Sequence, residues 1–279
     1  MRVTVAGSVA DALADPGATF IAGGTDLMVA INFGRERPEH VVSIRDLPEL
    51  QELSVDGRVA VGGGVTYTRL LEALADSNRA MVEAARTVGS PQIRNAGTIG
   101  GNLGTCSPAG DTLPVLAALD ADITLRSASG TRPVPFSAFM FGPRKSERQP
   151  GELVEAVEWE DAGGSQVFLK AGTRNAMVIA VASLAMVVDR RRKAVRVALG
   201  SVGPTIIRAA EAEGLATALF EESGWERPLK PSDAAVQHFG ELAAAAARPI
   251  DDQRGTAAYR RHVVSVMARR ALTRTGAAV

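Results

Sequence analysis

A chain of 279 residues with a single cysteine, Cys106, cannot close an internal disulfide, and one thiol cannot by itself hold an iron–sulfur cluster. A reducing, cytoplasmic setting is expected from this. Histidine is almost as scarce. His40, His238 and His262 stand without ligand spacing and read as surface or packing residues, so no metal site is expected. Charge of neither sign is in excess. The 31 Lys and Arg balance 31 Asp and Glu, which leaves none of the basic surplus that nucleic-acid binding needs. The one dense basic run, Arg190 to Lys193, lies between apolar stretches and reads as a solvated turn joining two strands. Long hydrophobic runs are missing too. The longest, Ala176 to Val188, falls short of the roughly 20 residues that span a bilayer, so no membrane span is expected. The polar, Asp-containing stretch after Met1 to Val5 does not read as a secretory leader. With 46% hydrophobic and 22% charged residues the chain has the balance of a globular protein, long enough for one large domain or two ordinary ones.

Punctuation by Gly, Pro and capping residues divides the chain into short elements. Ser8 opens a helix from Val9 to Ala14 that Pro16-Gly17 ends. Thr19 to Ala22 reads as a strand; Gly23-Gly24 turns into Thr25, an N-cap for a helix from Asp26 to about Phe33. His40 to Ile44, Arg58 to Gly62 (after an Asp56-Gly57 hairpin turn) and Asp122 to Ser127 read as strands. Thr68 to Ala75, Met81 to Val88 and Asp111 to Leu119 read as helices. Phe141 to Gly151, rich in Gly, Pro and charge, reads as a surface excursion near a boundary. Beyond a strand from Glu152 to Trp159 the pattern simplifies. Three strands (Gln166 to Ala171, Ile179 to Val188, Ala194 to Ser201) mix with three helices (Thr205 to Leu219, Ser232 to Ala246, Tyr259 to Thr273). The expectation is an antiparallel sheet backed by helices on one face, an α+β layer.

Two segments carry chemistry. The first is Ile21-Ala22-Gly23-Gly24-Thr25-Asp26-Leu27; the second runs from Asn95 to Asp111 and mixes Gly with Thr, Ser and Asn. A strand that turns through glycines into a helix exposes backbone N–H groups, and glycine lets a phosphate approach without a Cβ in the way. Two such loops suit a diphosphate better than one. Thr25, Thr98, Thr105 and Ser107 offer hydroxyls, Asn102 an amide, and Asp111 an acceptor for ribose or ribitol hydroxyls. Asp26 would repel a phosphate, so its carboxylate is expected to turn away and cap backbone donors. The spacing is neither that of a P-loop nor the Rossmann Gly-x-Gly-x-x-Gly, so another type of nucleotide site is indicated. Gly62-Gly63-Gly64 reads as a strand-end turn or bulge.

These segments resemble those of a known family, the FAD-binding medium subunits of carbon monoxide dehydrogenase, xanthine dehydrogenase and related molybdenum hydroxylases. Ala22 to Leu27 is similar to its first FAD motif; Thr98 to Asn102, continuing through Ser107-Pro108-Ala109-Gly110-Asp111, is similar to its second. The likeness extends to Gly89 to Asn95, Phe168-Leu169-Lys170, Arg174 to Met177, Gly200 to Thr205 and Tyr259 to His262. It implies an α+β fold: a vanillyl-alcohol-oxidase-like (PCMH-type) FAD-binding domain over residues 1–162, in two subdomains of about 1–55 and 56–162. A smaller C-terminal α+β domain of the carbon monoxide dehydrogenase flavoprotein type would occupy 163–279. It implies FAD contacts at Ala22, Gly23, Gly24, Thr25, Asp26, Leu27, Gly89, Ser90, Gly97, Thr98, Gly101, Asn102, Thr105, Ser107 and Asp111, with Lys170 near the flavin ring. An ammonium there would stabilise reduced flavin; without the resemblance Lys170 reads as a solvated strand residue. Unlike many members, the chain opens without an aromatic-rich strand, so the first strand is expected to be short. It also lacks the cysteine-bearing insertion of some relatives, so their extra cluster is not expected.

The activity implied is electron transfer. Substrate would be oxidised at a molybdenum cofactor in a large partner subunit. Electrons would pass through two 2Fe-2S clusters in a small subunit to FAD here, and leave to an acceptor such as NAD or quinone. The complex implied is a dimer of heterotrimers, and no catalytic residue is expected in this chain. One rival is a self-contained flavin oxidase or reductase of the same fold, with Tyr67, Arg94 or Arg174 as acid or base. The other is a flavin-free scaffold protein, against which the retained glycines argue.

Overall fold

The computed structural model describes residues 1–277. In chain order the elements are β1 (Arg2–Val5), α1 (Val9–Ala12), β2 (Thr19–Ile21), α2 (Leu27–Asn32), β3 (His40–Ser43), β4 (Leu53–Asp56), β5 (Arg58–Gly62) and α3 (Tyr67–Ala73). Then come α4 (Arg79–Thr87), α5 (Pro91–Ala96), α6 (Ile99–Thr105), α7 (Leu113–Ala118), β6 (Asp122–Ser127), β7 (Gly130–Pro135), α8 (Phe136–Phe139), β8 (Met140–Gly142) and β9 (Lys145–Ser146). The rest are β10 (Leu153–Glu160), β11 (Gln166–Ala171), β12 (Ala182–Asp189), β13 (Ala194–Gly200), β14 (Ile207–Arg208), α9 (Ala210–Ser223), α10 (Asp233–Ala246) and α11 (Ala257–Ala277). Packing divides them into two units. The first comprises residues 1–73, 88–107 and 121–160; the second comprises 74–87, 108–120 and everything from 161 onward. A linear boundary near 162 therefore leaves out α4 and α7, which pack with later residues; the last two residues of the expected 163–279 domain lie outside the described ones.

The first unit holds two sheets. β1, β3 and β2 form a parallel sheet in that order, with Arg2 opposite His40 and Thr19 opposite Val41. β1 is short, as expected, yet all four of its residues pair with β3. Ser8 accepts a hydrogen bond from the Asp11 N–H and so caps α1, which buries Val9 and Ala12 against Val42, Ile44 and Leu50. The second sheet is antiparallel, in the order β4-β5-β10-β6-β7. A bulge at Glu155 breaks the β10–β6 register, and its carbonyl accepts from the Gly63 N–H at 2.7 Å. The Gly62-Gly63-Gly64 run does end a strand, and its glycines are required by close packing. A Cβ on Gly63 would lie 2.1 Å from the Val154 carbonyl oxygen.

The second unit is a four-stranded antiparallel sheet, β11-β12-β13-β14. One face, with Leu184, Met186, Val197 and Leu199, packs on α9, α10 and α11 through Phe220, Phe239, Met267 and Leu272. The expectation of helices on one face is corrected: α4 contacts β11 and β12, and α7 contacts β12 and β13, so every residue of β12 is buried. An apolar run without alternation is the signature of a strand covered on both sides. The helix expected from Thr205 begins at Ala210, because Ile207 and Arg208 pair with Leu199 and Ala198 as β14. Arg190 to Lys193 forms the turn between β12 and β13, as expected.

Candidate functional site

The first glycine segment leaves β2 and turns through Gly24 at a positive φ of 69° into α2. Gly23 is pressed against the second segment: a Cβ there would lie 1.7 Å from the Ala96 carbonyl oxygen. Two expectations fail here. The N-cap is Asp26 rather than Thr25, and the Asp26 side chain makes no capping hydrogen bond. Its backbone sits in the α region, where the carboxylate swings away from the N–H groups of the first turn. It is exposed instead, 4.0 Å from the Arg144 guanidinium.

Two short helices that periodicity did not reveal, because their apolar residues are too few, lead into the second segment (α5) and lie within it (α6). Ser90 caps α5 by accepting from Ile93, and Thr98 caps α6 by accepting from Gly101 at 2.9 Å. Thr98 is almost fully buried, so its hydroxyl oxygen already serves the helix. Three hydrogen bonds and bridges fix α6: the Gly100 N–H to the Gly63 carbonyl, the Ile99 N–H to the Val65 carbonyl, and the Thr66–Thr98 bridge. Gly100 is needed for this, since its Cβ would lie 2.5 Å from the Gly63 oxygen. Gly101 and Gly104, one turn apart, are different. Both are exposed; a Cβ on Gly104 would meet nothing within 4 Å, and one on Gly101 only the Thr98 hydroxyl.

Those two glycines line a cavity of about 620 Å³ formed wholly within the first unit, a size suited to a small-molecule or cofactor site. Ala22 to Leu27 line it, as do Gly97, Thr98, Asn102 and Thr105. Gly89, Ser90 and Ser107 do not; Ser90 acts as a cap and Gly89, at a positive φ of 46°, makes the turn before α5. Sequence reasoning missed Glu36, Arg144 and Arg148 in the lining. The excursion from 141 to 151 is largely exposed, as expected, and it also includes most of β8, all of β9 and part of the cavity wall. The available signal was a pair of arginines in a Gly- and Pro-rich stretch, when neither glycine segment offers a cation.

Asp111 and Lys170 lie in the second unit and pair with each other, Lys170 Nζ donating to Asp111 Oδ2 at 2.6 Å and to the Thr87 carbonyl at 3.2 Å. Lys170 is thus a nearly buried ion-pair partner, not a solvated strand residue. Burial pushes the Asp111 carboxyl above the ordinary aspartate range, against the opposing pull of Lys170 and a hydrogen bond with Thr87. Asp111 Oδ1 is buried with no hydrogen-bond partner.

Among the acid–base candidates, Arg94 donates to the Val88 and Gly89 carbonyls and Arg174 to the Met177 carbonyl, both serving the backbone. Tyr67 lines the cavity. Among the described residues no cluster of His, Cys, Asp or Glu could hold a metal ion, and no helix is long and apolar enough to cross a membrane. His40, the first residue of the central strand β3, lies 2.7 Å from Asp15. Cys106 ends α6 in the left-handed conformation, and burial pushes its thiol up to about 11. Iodoacetamide at pH 8 should therefore leave the folded protein unlabelled and label one thiol per chain after unfolding in guanidinium. Prompt labelling of the folded protein would contradict the burial of this cap.

Comparison with known proteins matches residues 1–159 to the family described as the FAD binding domain in molybdopterin dehydrogenase, and residues 167–275 to the CO dehydrogenase flavoprotein C-terminal domain. The glyceraldehyde dehydrogenase medium chain of Sulfolobus acidocaldarius is 31% identical over 90% of this chain and 88% of its own length. The nicotinate dehydrogenase FAD-subunit of Eubacterium barkeri is 38% identical over 58% of this chain, an alignment spanning 57% of that relative. Among solved structures, a chain of reconstituted CO dehydrogenase from Oligotropha carboxidovorans superposes with a TM-score of 0.87 at 27% identity, covering all of this chain and 98% of that one.

Proposed function

Because this chain belongs to the family of FAD-binding subunits of molybdenum hydroxylases, we propose that the cavity of its first unit takes the diphosphate end of FAD. The carrying observation is the pair Gly101 and Gly104. Glycine weakens a helix, and these two meet no crowding that excludes a Cβ. Their use is to let a ligand lie against α6, with the backbone of Ala22 to Leu27 and the Asn102 amide as donors. The side chains of Thr25 and Thr105 add hydroxyls from the cavity wall. Asp111, in the second unit, belongs to this assignment through the resemblance; its buried Oδ1 has no hydrogen-bond partner and can accept from a hydroxyl. Lys170, assigned by resemblance to the flavin ring, holds that carboxylate in place; Asp111 already balances its charge. Gly89, Ser90 and Ser107 belong to this assignment through the resemblance alone.

FAD, when bound, supplies the capacity to accept electrons from one partner and pass them to another. The chain's own residues bind and orient it. The reading extends to a PCMH-type FAD domain over about 1–162 and a flavoprotein C-terminal domain beyond. It extends also to a large molybdenum-cofactor subunit and a small 2Fe-2S subunit as partners in a cytoplasmic dimer of heterotrimers, and to NAD or quinone as acceptor. What supports it is the naming of relatives as medium chains and FAD-subunits.

The test is an optical spectrum of the purified chain before and after dithionite, with released flavin identified by chromatography. One FAD per chain, bleached on reduction, is the expected result. A folded, colourless protein that refuses added FAD would overturn the reading in favour of a scaffold. Co-purification of molybdenum and iron with the tagged chain from its native host is expected as well. FAD with neither metal, plus turnover of a small substrate, would favour the self-contained oxidase.

A further inference from the structure

A cavity meant for a diphosphate should not carry unbalanced carboxylates, yet Asp26 and Glu36 both line this one and both are substantially exposed. Its cations are two arginines from the 141–151 excursion. Arg148 is committed: its guanidinium donates to the Glu152 carbonyl at 2.9 Å. Arg144 is held differently. It sits at a positive φ of 58° in the turn between β8 and β9, and its backbone N–H donates to the Cys106 carbonyl at 3.0 Å, where α6 ends. That bond ties the turn to the second glycine segment, while the guanidinium reaches back over the first. It donates to Glu36 Oε1 at 3.2 Å and lies 4.0 Å from Asp26. The backbone is therefore fixed and the head group rests on two exposed acidic partners, an arrangement whose ion pairs are weak and easily exchanged.

We propose that Arg144 is the counter-cation of the dinucleotide's diphosphate, set over the cavity by Glu36 and Asp26 and exchanging these two carboxylates for the phosphates when the dinucleotide binds. The planar guanidinium can grip two phosphate oxygens at once, which a carboxylate-lined loop with backbone donors alone cannot match. Asp26 and Glu36 then act as a charge stand-in: they keep Arg144 over the cavity and compete with the ligand for it. This assignment rests on the FAD reading above and deepens it.

The test is titration of the full-length, deflavinated chain with FAD, followed by flavin fluorescence at several salt concentrations, with riboflavin as a ligand lacking phosphate. Arg144→Gln should weaken FAD about 10- to 100-fold, the range for losing a hydrogen-bonded charge. It should flatten the salt dependence and leave riboflavin binding unchanged. Asp26→Asn should move the other way, tightening FAD several-fold, and Arg144→Lys should fall between wild type and the glutamine variant. Wild-type FAD affinity in Arg144→Gln, or an equal loss of FAD and riboflavin, overturns the proposal while leaving the FAD reading intact. If Arg144→Gln fails to fold, Asp26→Asn decides by itself: unchanged or weaker FAD binding overturns it. A wild-type chain that takes up neither flavin sinks both.

Discussion

Gly104→Ala should make the cofactor-free protein more stable and at the same time impair FAD binding. Alanine in place of glycine within a helix is worth roughly 0.5–1 kcal/mol where the new methyl fits, and at Gly104 it meets nothing within 4 Å. Gly101→Ala should behave alike with a smaller gain, because its Cβ would press on the Thr98 hydroxyl that caps α6. Each methyl would intrude on a ligand lying against the helix, a crowding of about 1–3 kcal/mol, or roughly five- to hundredfold in affinity. Gly23 and Gly100 give the contrast. Their Cβ atoms would strike backbone carbonyls at 1.7 and 2.5 Å, so alanine there should unfold or badly destabilise the first unit with or without FAD. Thermal melts of the apo protein and fluorescence titrations with FAD separate the two pairs. If Gly104→Ala binds FAD as wild type does, the cavity-facing glycines have some other purpose and the cradle is misplaced.

Lys170→Met should destabilise the second unit by about 3–5 kcal/mol near neutral pH, the usual effect of stripping a buried carboxylate of its cation. The pair is nearly inaccessible to solvent, at 9% and 7% side-chain exposure, so water cannot replace the ammonium. The loss depends on pH in a defined direction. Burial already raises the Asp111 pKa above its ordinary 3.8, and removing Lys170 raises it further. A carboxyl whose folded pKa exceeds its unfolded one contributes stability that is full below the unfolded value and is lost as pH rises through the folded value. The variant should therefore resemble wild type most closely near and below pH 3.8 and fall behind as the pH climbs. Adding Asp111→Leu should recover much of the stability at neutral pH, since an apolar pair leaves no charge buried. Denaturant unfolding followed at Trp225, stacked on Phe220 in the core of this unit, reads the effect directly. A pH-independent loss below 1 kcal/mol would mean that Asp111 finds another partner.

What could be read from the sequence is what neighbouring residues decide among themselves. Ser8 capping α1, the strands β11, β12 and β13 and the glycine segments are set by patterns a few residues long, where propensity governs. The resemblance carried the family and the cofactor because those glycine segments are contiguous. Short helices such as α5 and α6 escaped because six or seven residues rich in glycine show no apolar period. The N-cap moved from Thr25 to Asp26 because the turn at Gly24 set the backbone there, not the side-chain preference. Contacts between distant residues had no sequence signal at all. Asp111 and Lys170 stand 59 residues apart, and Glu36 and Arg144 stand 108 apart. Helices α4 and α7 reach a sheet whose strands come later in the chain and cover its second face. Such pairings form because burying apolar surface and matching charges outweigh the entropy of closing long loops, and that balance depends on the folded arrangement as a whole. The sequence by itself marked the two glycine segments where backbone N–H groups are open to a ligand; only the tertiary structure decided which charges line the cavity they share, because Glu36, Arg144 and Arg148 come from parts of the chain outside both segments.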